Sequence, residues 1–313
     1  MKTNGMKVTI PGRTSEIHSL VLDNPVIAAS GTFGFGREYA EYIDLDQLGA
    51  IAVKGLTPAA REGNPTPRIV ETEMGMINSI GLQNPGIEGF IRDELPFLNQ
   101  YKAKVIANIS GNSVEEFVVM SQRLSSVKGV DALEINVSCP NIHRGGEVFS
   151  TNPEMVELIT AAVRKSTTLP MILKLSPNVT DIGAIAKRAE DGGADAVSLI
   201  NTVLAMAIDI HQQKPVLQQI FGGLSGPAVK PIALRQVWQV YQAVNIPIIG
   251  MGGIMDGHDA IEFILAGASA ISVGTGNFIN PTACLDVLEG IRNYMNQHQV
   301  DDIKQLVGKA HRG

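Results

Sequence analysis

The 313 residues carry a formal net charge of −6, with 44% hydrophobic residues, 5% aromatic residues and 32 glycines. The acidic balance argues against a nucleic-acid surface, which needs clustered Lys and Arg, and the aromatic-poor, glycine-rich composition suits an α/β enzyme better than a β-sandwich. Two cysteines, Cys139 and Cys284, are too few for an iron–sulfur cluster on four thiolates and lack zinc-type spacing, so no metal site is expected and redox work needs an organic cofactor.

In chain order, MKTNGMKVTIPGR at the start has no signal-peptide core, and no later run approaches ~18 uninterrupted apolar residues. The expectation is a cytoplasmic protein that does not meet a membrane. Eight short apolar or β-branched runs then recur: Pro25 to Ser30, Ala50 to Lys54, Lys104 to Asn108, Asp131 to Val137, Pro170 to Lys174, Asp195 to Asn201, Ile246 to Gly250 and Ser269 to Gly274. Helix-period segments separate them. Ser113-Val-Glu-Glu116 is a capping-box pattern, Asn152-Pro153 puts a cap before proline, and Gly192 and Gly267 stand where helices stop. Strands alternating with helices imply parallel pairing through right-handed crossovers, and eight of them predict a (β/α)₈ TIM barrel, a single domain over residues 1–313. Residues 6 to 22 read as a hairpin closing the bottom of that barrel. An open doubly wound sheet is the competing fold. The crossovers Gly55 to Ala103 and Thr202 to Asn245 exceed one helix and are read as excursions over the barrel mouth.

A barrel enzyme places its chemistry at the C-terminal strand ends. Those positions are polar here: Ser30, Lys54, Asn108, Asn136, Lys174 and Asn201, then the glycine turns Gly252-Gly253 and Gly274-Thr275. Two lysines directly after apolar runs call for an anionic partner, because an unpaired buried charge is expensive. The turns after strands seven and eight occupy the place where this architecture binds phosphate through backbone N–H groups, although either can be an ordinary tight βα turn. Gly31-Thr-Phe-Gly-Phe-Gly36 has the wrong spacing for a dinucleotide fingerprint, and a phosphorylated flavin, FMN, fits better. Cys139 follows the fourth strand by one turn before Pro140; its thiol is read as a general base rather than a nucleophile, since His143 on a glycine-bounded loop is a poorly fixed partner. Cys284 falls in the helical pattern TACLDVLEGI and is read as packing.

The motifs NSIGLQNPG (78–86), INVSCPN (135–141), LKLSPN (173–178), INT (200–202), MGGI (251–254) and VGTG (273–276) run in order over nearly the whole chain and resemble the dihydroorotate dehydrogenases. Cysteine at the base position resembles the class 1 enzymes, and NSIGLQNPG together with HRGGEVF looks more like class 1B, the catalytic flavin subunit of an NAD-linked heteromer, than the fumarate-linked class 1A homodimer. Phe149-Ser150 stands where the family pattern has Phe-Gly. Carried over, the resemblance places one FMN per chain against Ser30, Lys54, Gly55, Asn108, Asn136, Lys174, Ile200, Gly226, Gly252, Gly253, Gly274 and Thr275. It places substrate against Lys54, Asn78, Ser79, Ile80, Gly81, Leu82, Asn136, Asn201 and Thr202, with Cys139 and Lys54 catalytic.

What the resemblance implies is oxidation of dihydroorotate to orotate, a step of pyrimidine biosynthesis. Cys139 would take the C5 proton, flavin N5 would take the hydride, and Asn78, Asn136 and Asn201 would match the ureide edge. Pro140 to Ser150, with Gly145-Gly146, is read as a lid. FAD and a [2Fe-2S] cluster are expected only on a partner subunit, with this chain a homodimer inside a heterotetramer. A class 1A enzyme, a tRNA-dihydrouridine synthase-like flavoenzyme and a non-catalytic phosphate-binding barrel stay open as alternatives.

Overall fold

The structure, a computed structural model, describes residues 3–138, 140–141 and 147–312. Eight parallel strands close into a barrel: β1 (Val26–Ala28), β2 (Ala50–Ala52), β3 (Lys104–Ile109), β4 (Ala132–Asn136), β5 (Met171–Lys174), β6 (Ala196–Leu199), β7 (Ile248–Met251) and β8 (Ala270–Val273). Each falls inside or against one of the eight apolar runs. Closure rests on β8 beside β1, in the register Ile271 to Val26, Ser272 to Ile27 and Val273 to Ala28, which rules out the open sheet. Six of the eight strands have every residue buried, so their sequences read as continuous apolar runs rather than alternating ones.

The caps follow the sequence with two adjustments. Ser113 Oγ accepts the Glu116 amide at 3.3 Å ahead of the helix Val114–Ser125, but the Glu116 carboxylate returns to the Asn112 N–H at 2.7 Å, one residue before the cap. Asn152 Oδ1 accepts from the Glu154 and Met155 amides, opening Pro153–Arg164. Gly267, at φ +125°, ends Gly257–Ala266 as expected, whereas after Ile182–Asp191 Gly192 stays right-handed and Gly193, at φ +100°, makes the turn. The first crossover departs from the repeating plan. The glycine-punctuated GTFGFG breaks the helical period, and only the short 3₁₀ turns Tyr39–Glu41 and Leu45–Gln47 follow β1.

At the base, Val8–Ile10 pairs antiparallel with Leu20–Leu22 as the expected hairpin. Its tip is pinned by Asp195, the residue before β6, whose carboxylate accepts from the Arg13 amide at 2.9 Å, the Met171 amide at 2.8 Å and Arg164 Nη1 at 2.8 Å. At the mouth, the two long excursions meet in one four-stranded antiparallel sheet, ordered Val203–Met206, Phe221–Ser225, Gly75–Asn78, Ile69–Thr72. This sheet roofs the C-terminal strand ends.

Candidate active site

Between the strand ends and the mouth sheet lies a cavity of about 560 Å³, within the ~300–1,000 Å³ range usual for small-molecule and cofactor sites. Ser30, Lys54, Gly55, Asn108, Asn136, Lys174, Ile200, Gly226, Gly252, Gly253, Gly274 and Thr275 all line it, and so do Asn78, Ser79, Ile80, Gly81, Leu82, Asn201 and Thr202. Residues from opposite ends of the sequence thus share one wall, because parallel strands bring every C-terminal end to the same face. Cys139 and Gly145-Gly146 lie outside the described residues, as does the middle of the loop read as a lid.

The floor is a polar network. Lys174 Nζ donates to Ser30 Oγ at 3.1 Å and stands 3.9 Å from Glu134 Oε2. Glu134 accepts from Asn108 Nδ2 at 2.5 Å and from Ser198 Oγ at 2.7 Å. Lys54 differs from Lys174: among the described residues no carboxylate lies within ion-pair reach of it. Burial, then the neighbouring Lys174 and Arg68 charges, hold its ammonium pKa below the ordinary lysine value. A lysine with that environment favours an anion entering the cavity.

One wall reads amide to amide. Asn201 Nδ2 donates to Asn136 Oδ1 at 3.2 Å and to Ser138 Oγ at 2.9 Å, while Asn201 Oδ1 accepts the Thr202 amide at 2.8 Å. Asn78, at the end of its mouth strand, donates to the Gly223 carbonyl at 3.3 Å, which ties the substrate-side loop to the second excursion. Leu82 closes that loop at φ +57°, a left-handed conformation few side chains adopt.

The opposite wall is backbone. Gly253 sits at φ +77°, and a Cβ there would meet Gly226 O at 2.9 Å and Lys230 N at 2.9 Å, so only glycine makes this turn. Gly274 is different, because a Cβ there would make only ordinary contacts, with Ala29 Cβ at 3.7 Å and Thr32 Cγ2 at 3.9 Å; Gly31 has similar room but sits at φ +91°, so its backbone still calls for glycine. Thr275 Oγ1 donates to Ser225 Oγ at 2.8 Å, joining this wall to the mouth sheet. Asn108 Oδ1 is buried, and among the described residues nothing donates to it. An acceptor left to receive a ring N–H, a lysine with no carboxylate partner among the described residues, and glycine turns whose backbone N–H groups a phosphate can approach together fit a phosphorylated flavin.

Composition and spacing did not single out Glu134, Ser198, Ser138, Arg68 or Ser225. Glu134 carried a signal all the same: it alternates with Asn136 on one strand face, and a carboxylate inside a barrel strand needs partners. Cys284 is fully buried on Ala283–Gln297 with its thiol against Asn277 Oδ1 at 3.2 Å, and burial pushes its pKa up to about 12, which agrees with a packing role. Among the described residues no helix is long and apolar enough to cross a membrane.

Comparison with known proteins agrees with the motifs. The sequence profile of the family described as dihydroorotate dehydrogenase matches residues 13–295. The "Dihydroorotate dehydrogenase B (NAD(+)), catalytic subunit" of Alkaliphilus metalliredigens is 57% identical over 303 residues, covering 97% of this chain and 98% of the relative. The proteins of the same name from Thermoanaerobacter pseudethanolicus and Desulforamulus reducens are 57% identical over 293 residues and 55% over 296 residues, covering 94% and 95% of this chain and 97% of each relative. The chain belongs to the dihydroorotate dehydrogenase family.

Proposed function

We propose that this chain oxidises dihydroorotate to orotate in pyrimidine biosynthesis, as the NAD-linked class 1B catalytic subunit. The observation that carries the reading is the single cavity shared by Lys54, Asn78, Asn136, Asn201 and the glycine turns after β7 and β8, in a chain of this family. Residues 1–313 are taken as one FMN-binding barrel domain.

Ser30, Asn108, Lys174 and Ile200 would hold the ring of FMN, and Gly226, Gly252, Gly253, Gly274 and Thr275 its phosphate end. Bound there, FMN supplies the hydride acceptor that no side chain can. The chain's own work is to bind and orient. Asparagine amides carry both donor and acceptor, so Asn78, Asn136 and Asn201 complement the alternating N–H and C=O groups of the cyclic ureide. The hydrogen bonds these amides make fix which way each faces before substrate arrives, so less ordering is left to occur on binding. Lys54 supplies positive charge where an anion forms or binds. Cys139, adjacent to Ser138, is assigned as the base that takes the C5 proton. The mouth sheet covers the reacting groups and excludes water.

Relatives named as catalytic subunits support a partner that carries electrons onward, and FAD and a [2Fe-2S] cluster are assigned to it. Exposed apolar side chains are available to such partners: Leu204, Met206 and Phe221 on the mouth sheet, Ile208 and Ile210 just beyond its Val203–Met206 strand, and Phe278 and Ile279 after β8. A homodimer within a heterotetramer would cover both groups.

The test is anaerobic mixing of the flavin-loaded chain with dihydroorotate, followed by fumarate or NAD. The expected result is rapid bleaching of the flavin with neither acceptor restoring colour until a partner subunit is added. Reoxidation by fumarate alone would move the chain to class 1A. Absence of bleaching would overturn the dehydrogenase reading.

A further inference from the structure

The network under the cavity contains one residue that does not line the open space and yet governs two that do. Glu134 is buried in the barrel interior and its carboxylate is contacted from three other strands, by Asn108 on β3, Lys174 on β5 and Ser198 on β6. An asparagine amide can present either its N–H₂ or its oxygen to a given side, and the two look alike in shape. Here the Glu134 carboxylate, an acceptor only, captures Asn108 Nδ2 at 2.5 Å. The oxygen of the same amide is therefore turned away, and it is this atom, Oδ1, that is buried and has no donor among the described residues. It sits beside Gly55, where a Cβ would approach it to 2.9 Å, and both residues line the cavity.

We propose that Glu134 is a positioning residue: by fixing the polarity of the Asn108 amide it makes the cavity floor an acceptor for the single N–H of an oxidised flavin ring. This rests on the reading of the cavity as an FMN site. An isoalloxazine ring in its oxidised form has one N–H, at N3, flanked by two carbonyls. An orphan acceptor next to a lysine donor offers the complement of that edge. A buried acceptor left unmatched costs ~1–3 kcal/mol, so a ring that cannot donate there is penalised. Glu134 acts through Asn108 and meets neither ring nor substrate.

The test compares apoprotein affinity for FMN with that for FMN methylated at N3, read by quenching of flavin fluorescence and needing no turnover. The native chain is expected to prefer FMN by about tenfold or more, the ratio equivalent to that penalty. Glu134→Met removes the acceptor, frees the Asn108 amide to turn, and is expected to bring the preference to within about twofold. Glu134→Gln is expected to restore it, because its carbonyl oxygen can still accept from Asn108 while its N–H₂ turns to Ser198 Oγ. Should Glu134→Met fail to fold, the charge-balanced pair Glu134→Met with Lys174→Met is compared with Glu134→Gln with Lys174→Met, which lacks the same lysine but keeps an oxygen for Asn108; the preference is expected to be lost in the first and kept in the second, since exchanging a buried pair for neutral residues is often tolerated. A native chain that binds both flavins equally, or a Glu134→Met chain with the native preference, would overturn the proposal. A native chain that binds neither flavin would instead defeat the FMN reading itself.

Discussion

Lys54 and Lys174, at the ends of β2 and β5, three strands apart around the barrel, show how two identical side chains that face one cavity acquire different work. Lys174 has an internal carboxylate at 3.9 Å, whereas Lys54 is left to burial and to the repulsion of Lys174 and Arg68, which together lower its pKa. Protonated Lys54 attracts an anionic ligand, and that attraction is lost as pH rises through its lowered pKa. Orotate affinity is therefore expected to decline at a pH below the ~10.4 of an ordinary lysine, while Lys54→Arg, charged throughout, keeps it level over the same range. Titrating the oxidised flavin spectrum with orotate at a series of pH values checks this, and an identical profile in Lys54→Arg would remove Lys54 from the role. The lysines and asparagines were legible in the sequence because polar residues at the ends of apolar runs are conspicuous. Glu134 was legible only in part: a carboxylate inside an apolar run signals that it needs partners, but nothing local names Asn108, Lys174 and Ser198, which converge on it from three other strands.

At the scale of elements, the glycine turns after β7 and β8 serve different ends. Gly253 is required by the fold: its φ of +77° and the backbone of Gly226 and Lys230 leave no place for a side chain. Gly274 leaves space that packing does not need. Gly253→Ala is expected to lower apoprotein stability by ~1–2 kcal/mol from the left-handed conformation alone, and to weaken FMN binding at least tenfold as the turn shifts. Gly274→Ala is expected to weaken FMN binding with thermal stability unchanged. A urea melt and an FMN titration on both variants separate the two, and equal loss of stability would contradict the distinction. The barrel strands were readable since residues buried on both faces leave uninterrupted apolar runs. The mouth sheet was readable only as two overlong crossovers. Its pairing joins Asn78 to Gly223, 145 positions apart, and no local pattern in either excursion names the other as its partner.

For the whole molecule, the base and the mouth have separate duties. Asp195 is fully buried and ties the hairpin at Arg13, the β5 strand at Met171 and the helix residue Arg164 to one carboxylate, at the opposite end of the barrel from the cavity. Asp195→Ala leaves the partly buried Arg164 guanidinium without its counter-charge and the buried Met171 amide without its acceptor, and is expected to cost about 3 kcal/mol of stability, while FMN affinity of the protein that remains folded stays within about twofold. A denaturation midpoint unchanged from the native chain would show that the clamp is dispensable. The mouth sheet has a consequence in time as well as in space. Gly75–Asn78 pairs with Phe221–Ser225, so the strand that carries the substrate-side loop has no second neighbour until more than two-thirds of the chain has been synthesised. A chain synthesised only through β6 therefore has six of the eight barrel strands but not the strand that holds the substrate-side loop in place, and the order of synthesis puts the fixing of that loop, like the closing of the barrel by β7 and β8, among the last contacts that can form.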